Sequence, residues 1–230
     1  QGGIGHILAL ALDSRLRSRG LAQVAAAVLT HAEVAADDPA FDHPTKPLGG
    51  VMDADTAARR VVEGWQVAET SPGTWRRVVP SPRPLAVMER DAIGALVASG
   101  AVVIAAGGGG IPIVTGPDGW RPIDAVIDKD RTAAVLAAQV GASHLVIITA
   151  VEEVSVGWGT PQQRGLRQVD AATLATHLAA GEFPAGSMGP KVEACLDFLA
   201  DGGKEALITS LPTVRAALNG AAGTHITPTT

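Results

Sequence analysis

Several things are scarce in these 230 residues, and each scarcity excludes a class of function. Cysteine occurs once, at Cys195, so no internal disulfide can form and a reducing cytoplasm is the expected compartment. Its neighbours Val192, Ala194, Leu196, Phe198 and Leu199 read as a packed helix face. Basic charge is not in excess. A formal net charge of −5 offers no field to attract nucleic acid or an anionic membrane, whose binding rests on neutralising phosphate. No stretch supplies the roughly 20 consecutive apolar residues of a membrane span. The best run, residues 101–114, is broken by four glycines and a proline. The six histidines lack metal-ligand spacing, and no Gly-x-Ser-x-Gly elbow marks a serine nucleophile. The apolar opening, residues 2–12, has no basic residues before it and is followed by Asp13, Arg15, Arg17 and Arg19, so it reads as a buried helix rather than a signal peptide. The chain opens at Gln1 instead of methionine, and its natural start is expected upstream or removed.

What is present is a large apolar fraction, 47%, enough to bury a sizeable core. Ile4, Ile7, Leu8, Ala11, Leu12 and Leu16 fall at helical spacing over 3–19, closed by Gly20, and 23–30 reads as a buried strand. From 31 to 83 the character changes to Pro, Gly, Asp and charged pairs, with Trp65 and Trp75 as isolated anchors. Helices are then expected at 87–99, 131–140, 170–180, 190–200 and 211–218, and strands at 101–106, 144–149 and 206–209. This alternation predicts an α/β protein with helices on both faces of a mainly parallel sheet. Residues 1–30 and 84–230 form the core, and 31–83 a small inserted subdomain.

Three segments could carry chemistry. The 101–106 strand runs into Gly107, Gly108, Gly109 and Gly110, which serve either as a flexible turn or as a loop that lets an anion approach backbone N–H groups. The segment fits neither the P-loop nor the dinucleotide pattern, because no Gly-Lys-Ser/Thr follows and Pro112 takes the third glycine's place. In Asp128-Lys129-Asp130, Asp130 could cap the next helix, but capping does not explain Lys129. A lysine held by flanking carboxylates suits phosphoryl transfer, and a solvated charge cluster is the alternative. Gly186 to Lys191 opens a helix with glycines, Ser187 and Pro190, leaving N–H donors for phosphate beside the Lys191 charge. Lysine usage sharpens this reading, since there are four lysines against 14 arginines. Three of the four, Lys46, Lys129 and Lys191, lie in distinctive contexts, and an ammonium is not interchangeable with a guanidinium.

Together these segments resemble the carbamate kinases of the amino acid kinase superfamily. The resemblance rests on Asp38-Pro39-Ala40-Phe41, Pro44-Thr45-Lys46-Pro47, Arg76 to Pro82, Gly107 to Pro112, Val126 to Asp130, Thr149 to Glu152, Gly186 to Lys191, and Gly223-Thr224. It implies a three-layer α/β/α sandwich with an open, mainly parallel eight-stranded sheet, a homodimer, and a protruding lid matching 31–83. It further implies exchange of a phosphoryl group between carbamoyl phosphate and ADP, giving ATP and carbamate. Lys129 and Lys191 would flank the transferred group, Asp130 would orient the lysines, and Lys46 would reach in as the lid closes. Gly107, Gly108, Gly109 and Gly110 would bind substrate phosphate. Nucleotide would lie along Thr149, Ala150, Val151, residues 158–162, Met188, Gly189 and Pro190, with magnesium carried by its phosphates rather than by protein ligands.

One departure stands out. The family's members start with a strand leading into Gly-Gly-Asn-Ala and later carry His-Gly-Asn-Gly-Pro, and neither occurs in these residues. Both would precede Gln1, so a chain starting there is expected to be inactive or nearly so. Other readings are an amino acid kinase acting on glutamate, aspartate or an isoprenoid phosphate, a truncated non-catalytic nucleotide-binding or dimerisation module, and, more distantly, a dinucleotide oxidoreductase.

Overall fold

Helix α1 (Gly2–Ser18) opens the computed structural model, which describes residues 1–184 and 186–229. Its one buried residue is Gly5, whose missing side chain lets the helix lie on strand β1 (Ala25–Ala27): a Cβ there would come within 3.2 Å of the Ala27 Cβ. The remainder of α1 is not buried, with Ile4 70%, Ile7 65% and Leu10 64% exposed. The expectation of a buried helix is corrected here. Apolar composition drives burial only where a partner surface is offered, and α1 carries apolar residues around more of its circumference than β1 covers.

The chain continues through β2 (His31–Val34), β3 (Lys46–Met52), α2 (Ala54–Val62), β4 (Val67–Ser71), β5 (Thr74–Val79), β6 (Pro84–Val87), α3 (Arg90–Ala98), β7 (Val102–Ile104), β8 (Ile111–Gly116) and β9 (Gly119–Pro122). Strands β3, β5 and β4 form an antiparallel three-stranded sheet with α2 beside it. This small unit is tighter than the change in composition suggested. Strand β2 pairs antiparallel with β6 and parallel with β8, so 31–34 and 84–87 belong to a separate four-stranded sheet, β6-β2-β8-β9. Within 31–83 the three-stranded sheet and α2 span 46–79, while the buried residues of β2 (Ala32 0%, Val34 2% exposed) pack with Val114 and Ile127.

The second half comprises α4 (Lys129–Gln139), β10 (His144–Thr149), the short pair β11 (Ser155–Val156) and β12 (Arg164–Gly165), β13 (Gln168–Asp170), α5 (Ala171–Ala179), α6 (Met188–Ala200), β14 (Glu205–Ser210), α7 (Val214–Leu218) and β15 (Thr224–Thr227). Strands β10 and β14 run parallel with Leu145 opposite Ala206, and the sheet order is β10-β14-β15-β13. Side chains alternate across β14 with period two. Ala206 and Ile208 join the largest core cluster, with Leu174 of α5 and Val192, Cys195 and Phe198 of α6. Leu207 points the other way, against Ala217 of α7 and Ala222. Helices on both faces of a buried sheet make the three layers expected of an α/β/α sandwich.

The main sheet is interrupted. Strand β1 pairs parallel with β7, Ala27 opposite Ile104, but β7 and β10 are not bonded to one another. Between them runs a groove of about 510 Å³, flanked by Val103 and Ala105 on one side and Val146 and Ile148 on the other, that also takes in Gly107, Gly108, Lys129 and Asp130. The single eight-stranded sheet implied by the resemblance is therefore present here in separate pieces.

Candidate active site

The glycine run after β7 is shaped by what lies behind it. Gly108, Gly109 and Gly110 all take positive φ (70°, 98° and 88°), and a Cβ on Gly109 would sit 2.3 Å from the Ile127 carbonyl oxygen. Only glycine lets the loop lie this close to the segment entering α4. Thr132, fully buried, fastens the loop there by donating its hydroxyl to the Gly109 carbonyl at 2.9 Å. Two of the four loop amides are spent internally: Gly109 N–H donates to Ala106 O and Gly110 N–H to Gly107 O. Any capacity to hold an anion therefore rests on Gly107 and Gly108, which border the same groove as Lys129 and Asp130.

At the start of α4 the two aspartates divide their work differently from the sequence reading. Asp128, not Asp130, is the N-cap: its Oδ1 accepts from the backbone N–H of Asp130 at 2.9 Å and of Arg131 at 3.4 Å. Lys129 is not held by both flanking carboxylates. It donates to Asp130 Oδ1 at 2.7 Å, whereas Asp128 Oδ2 accepts from Lys46 Nζ at 2.5 Å. The other oxygen of Asp130 accepts from Lys191 Nζ at 2.9 Å. One buried carboxylate thus holds two lysines from different helices, and a second holds the lysine of the 46–79 unit. Lys191 is more enclosed than Lys129, with side chains 15% and 59% exposed. Arg131 of α4 and Glu193 of α6 form a further ion pair that ties the two lysine-bearing helices together.

Burial would by itself push the Asp128 carboxyl up. The Lys46 hydrogen bond and charge, with the Asp130 and Arg131 amides, outweigh it and hold Asp128 below the usual carboxylate range. In the same region burial, with the Asp130 charge second, pushes the Cys195 thiol up strongly.

Lys191 also lines a pocket of about 260 Å³ at the C-terminal end of β10, together with Thr149, Ala150, Val151 and Met188. A crevice beyond the carboxyl ends of parallel strands is where open α/β sheets take their ligands. Trp158 stands at this pocket, 59% exposed. Of the remaining residues expected along the nucleotide, Gly189 is buried and bonds back to Pro184 O at 2.9 Å. Pro190 instead borders a small hollow shared with Lys46, Asp128 and Arg131. Glu153, Glu182 and Phe183 line the pocket without having been singled out, since no motif or periodicity marks them. Among the described residues no cluster of three or more His, Cys, Asp or Glu is arranged to hold a metal ion, and no helix is long and apolar enough to cross a membrane.

A profile described as the amino acid kinase family matches residues 19–210. The chain is 45% identical over 232 aligned positions to the carbamate kinase-like protein YahI of Escherichia coli, covering 100% of this chain and 73% of that protein. It is 42% identical over 229 positions to the carbamate kinase of Pyrococcus horikoshii, covering 99% and 73%. Among solved structures, carbamate kinase from Giardia lamblia bound to AMP-PNP superposes with a TM-score of 0.88 at 34% identity, covering 99% of this chain and 73% of that one. The same enzyme bound to citric acid gives 0.91 at 35% identity, covering 100% and 73%. The chain thus spans about three quarters of the length of the proteins it matches.

Proposed function

The chain belongs to the amino acid kinase family, among its carbamate kinases, and from that premise we propose that Lys129, Lys191 and Asp130 carry phosphoryl transfer between carbamoyl phosphate and ADP. The observation that carries this reading is the single carboxylate of Asp130 between two ammonium groups, at 2.7 and 2.9 Å, with Lys191 lining the β10 pocket and Lys129 and Asp130 bordering the groove beside it. Each lysine has three donors: Lys129 spends one on Asp130 and keeps two, while Lys191 spends one on Asp130 and a longer one, 3.4 Å, on the Ser187 carbonyl and keeps one for an oxygen of a transferring group. Transfer of this kind needs little covalent chemistry from the protein. It needs the reactants held in line and the charge on the moving group met by fixed positive groups. Asp130 supplies the fixity, holding both ammonium groups so that they need not reorganise as charge develops.

ADP would occupy the pocket formed by Thr149, Ala150, Val151 and Met188, bringing its terminal phosphate toward Lys191. Carbamoyl phosphate would enter from the side of Gly107 and Gly108, with Lys46 closing over it. Magnesium fits as a passenger of the nucleotide phosphates, because the oxygens of Asp128 and Asp130 are already committed to lysines and helix amides. When bound it would neutralise phosphate charge, while the lysines orient the groups it accompanies. The same reading makes the protein a cytoplasmic homodimer, which sedimentation of the full-length product would check.

The deciding experiment gives the full-length gene product carbamoyl phosphate, ADP and magnesium and measures ATP. Formation of ATP that is lost in Lys191→Ala supports the reading. Absence of ATP with carbamoyl phosphate, alongside turnover of glutamate, aspartate or an isoprenoid phosphate, would replace the substrate.

A further inference from the structure

The 46–79 unit is joined to the start of α4 by an ion pair whose acceptor, Asp128, also organises the reactive helix. Lys46, first residue of β3, donates to Asp128 Oδ2 at 2.5 Å across 82 positions of sequence. Asp128 is 6% exposed, and its remaining oxygen caps α4 by accepting the amides of Asp130 and Arg131. Asp130 in turn holds Lys129 and Lys191. Every link from Lys46 to Lys191 is therefore a hydrogen bond to a buried carboxylate or a single backbone step. Two further ties lie just beyond the unit: Val126 N–H donates to Pro80 O at 2.9 Å, and Arg83, immediately before β6, pairs with Asp197 of α6 at 2.6 Å, where both side chains are half exposed and solvent screens them.

We propose that Asp128 is a positioning residue that makes the seating of the 46–79 unit and the ordering of the Lys129–Asp130–Lys191 cluster a single event. The inference rests on the kinase reading for its purpose but not for its test. A carboxylate taken out of water is stable only while its partners remain, so unseating Lys46 leaves Asp128 with an unmet charge beside the cap it supplies. Loosening then passes to the first turn of α4, which bears Lys129 and Asp130. Seating Lys46 restores both. A substrate anion that drew Lys46 off Asp128 would thereby act on the α4 turn as well.

Asp128→Asn separates the two duties. Asparagine caps a helix about as well as aspartate, so the α4 amides keep an acceptor while Lys46 loses its ionic partner. Hydrogen exchange, measured without substrate, should rise on the order of tenfold across 46–79, as expected for loss of a charge-assisted bond. Lys46→Met should give the same rise, and the double variant no more than either alone. Asp170→Asn makes the same change at the cap of α5 and should leave 46–79 untouched. Unchanged exchange in Asp128→Asn, additive effects in the double variant, or an equal rise in Asp170→Asn would each overturn the proposal. If Asp128→Asn does not fold, Lys46→Met decides alone: faster exchange at the Asp130 and Arg131 amides supports the coupling, and unaltered exchange there ends it. Because no turnover is read, failure of the coupling and failure of the carbamate kinase reading are distinguishable.

Discussion

Lys191 Nζ lies 2.9 Å from Asp130 Oδ2 although the two residues are 61 positions apart. One sits in the first turns of α6 and the other in the first turn of α4, so packing of those two helices through Val192, Ala134 and Ala137 sets the geometry of the pair. A charge delivered this way is fixed before substrate arrives. That is what transition-state stabilisation requires.

Lys191→Ala in the full-length product should therefore lower kcat on the order of a hundredfold or more. ADP affinity, measured by titration, should change little, because the ammonium is aimed at the moving group rather than at the bound base. Near-normal turnover in this variant would remove Lys191 from the mechanism.

Acid should release the 46–79 unit late. Asp128 titrates below its ordinary value of 3.8, held down by Lys46 and the helix amides against the upward push of burial. A carboxyl lowered by folding contributes stability that is complete above the unfolded value and is lost as pH falls through the folded one. Hydrogen exchange in 46–79, corrected for its intrinsic pH dependence, should be flat from neutral pH to about 4 and rise only below it. The acid step should vanish in Asp128→Asn, and a rise centred above pH 5 would contradict the assignment.

Gly109→Ala should be costly out of proportion to its size. The new methyl would lie 2.3 Å from the Ile127 carbonyl oxygen, at a φ of 98° that disfavours any side chain. We expect a loss on the order of 2 kcal/mol or more, seen as a fall of several degrees in Tm. Ile127 immediately precedes Asp128, so turnover should fall as well. A variant with wild-type Tm would show that the loop is free to move away.

Cys195 should behave as a core residue. Its side chain is fully buried between α6 and the sheet, and burial pushes the thiol well up, away from the reactive thiolate. A thiol reagent such as dithionitrobenzoate should find about one equivalent only in denaturant. Rapid reaction with the native protein would mean that α6 opens on that timescale.

Much of this arrangement was legible in the chain, for identifiable reasons. The scarcity of lysine exposed Lys46, Lys129 and Lys191, because a composition that prefers arginine makes each ammonium informative. The aspartate-capped α4 and α5 are legible to within a residue or two, as where Asp170 accepts from Thr173 N–H at 2.9 Å, whereas α2, capped by Asp53, is not, because it lies in a stretch whose polar composition reads as irregular. The division of labour between Asp128 and Asp130 was not legible, because neighbours in sequence look alike until Lys46 arrives from 82 positions away. Nor was the exposure of Ile4, Ile7 and Leu10, since apolar spacing names a face but not what covers it. The pairing of β2 with β8 is not legible for a related reason: β2 is four residues long, and its partner is non-local.

The two aspartates have a consequence for how the site meets charge. Three ammonium groups, of Lys46, Lys129 and Lys191, stand against two carboxylates, so the cluster carries a single unit of surplus positive charge. Such a site projects little long-range field, and a phosphorylated ligand is not drawn in from afar. It works instead in the manner of an ion-exchange resin. The lysines arrive already counterbalanced, an incoming phosphate trades places with part of an aspartate's claim, and selectivity is set by the short-range geometry of that trade.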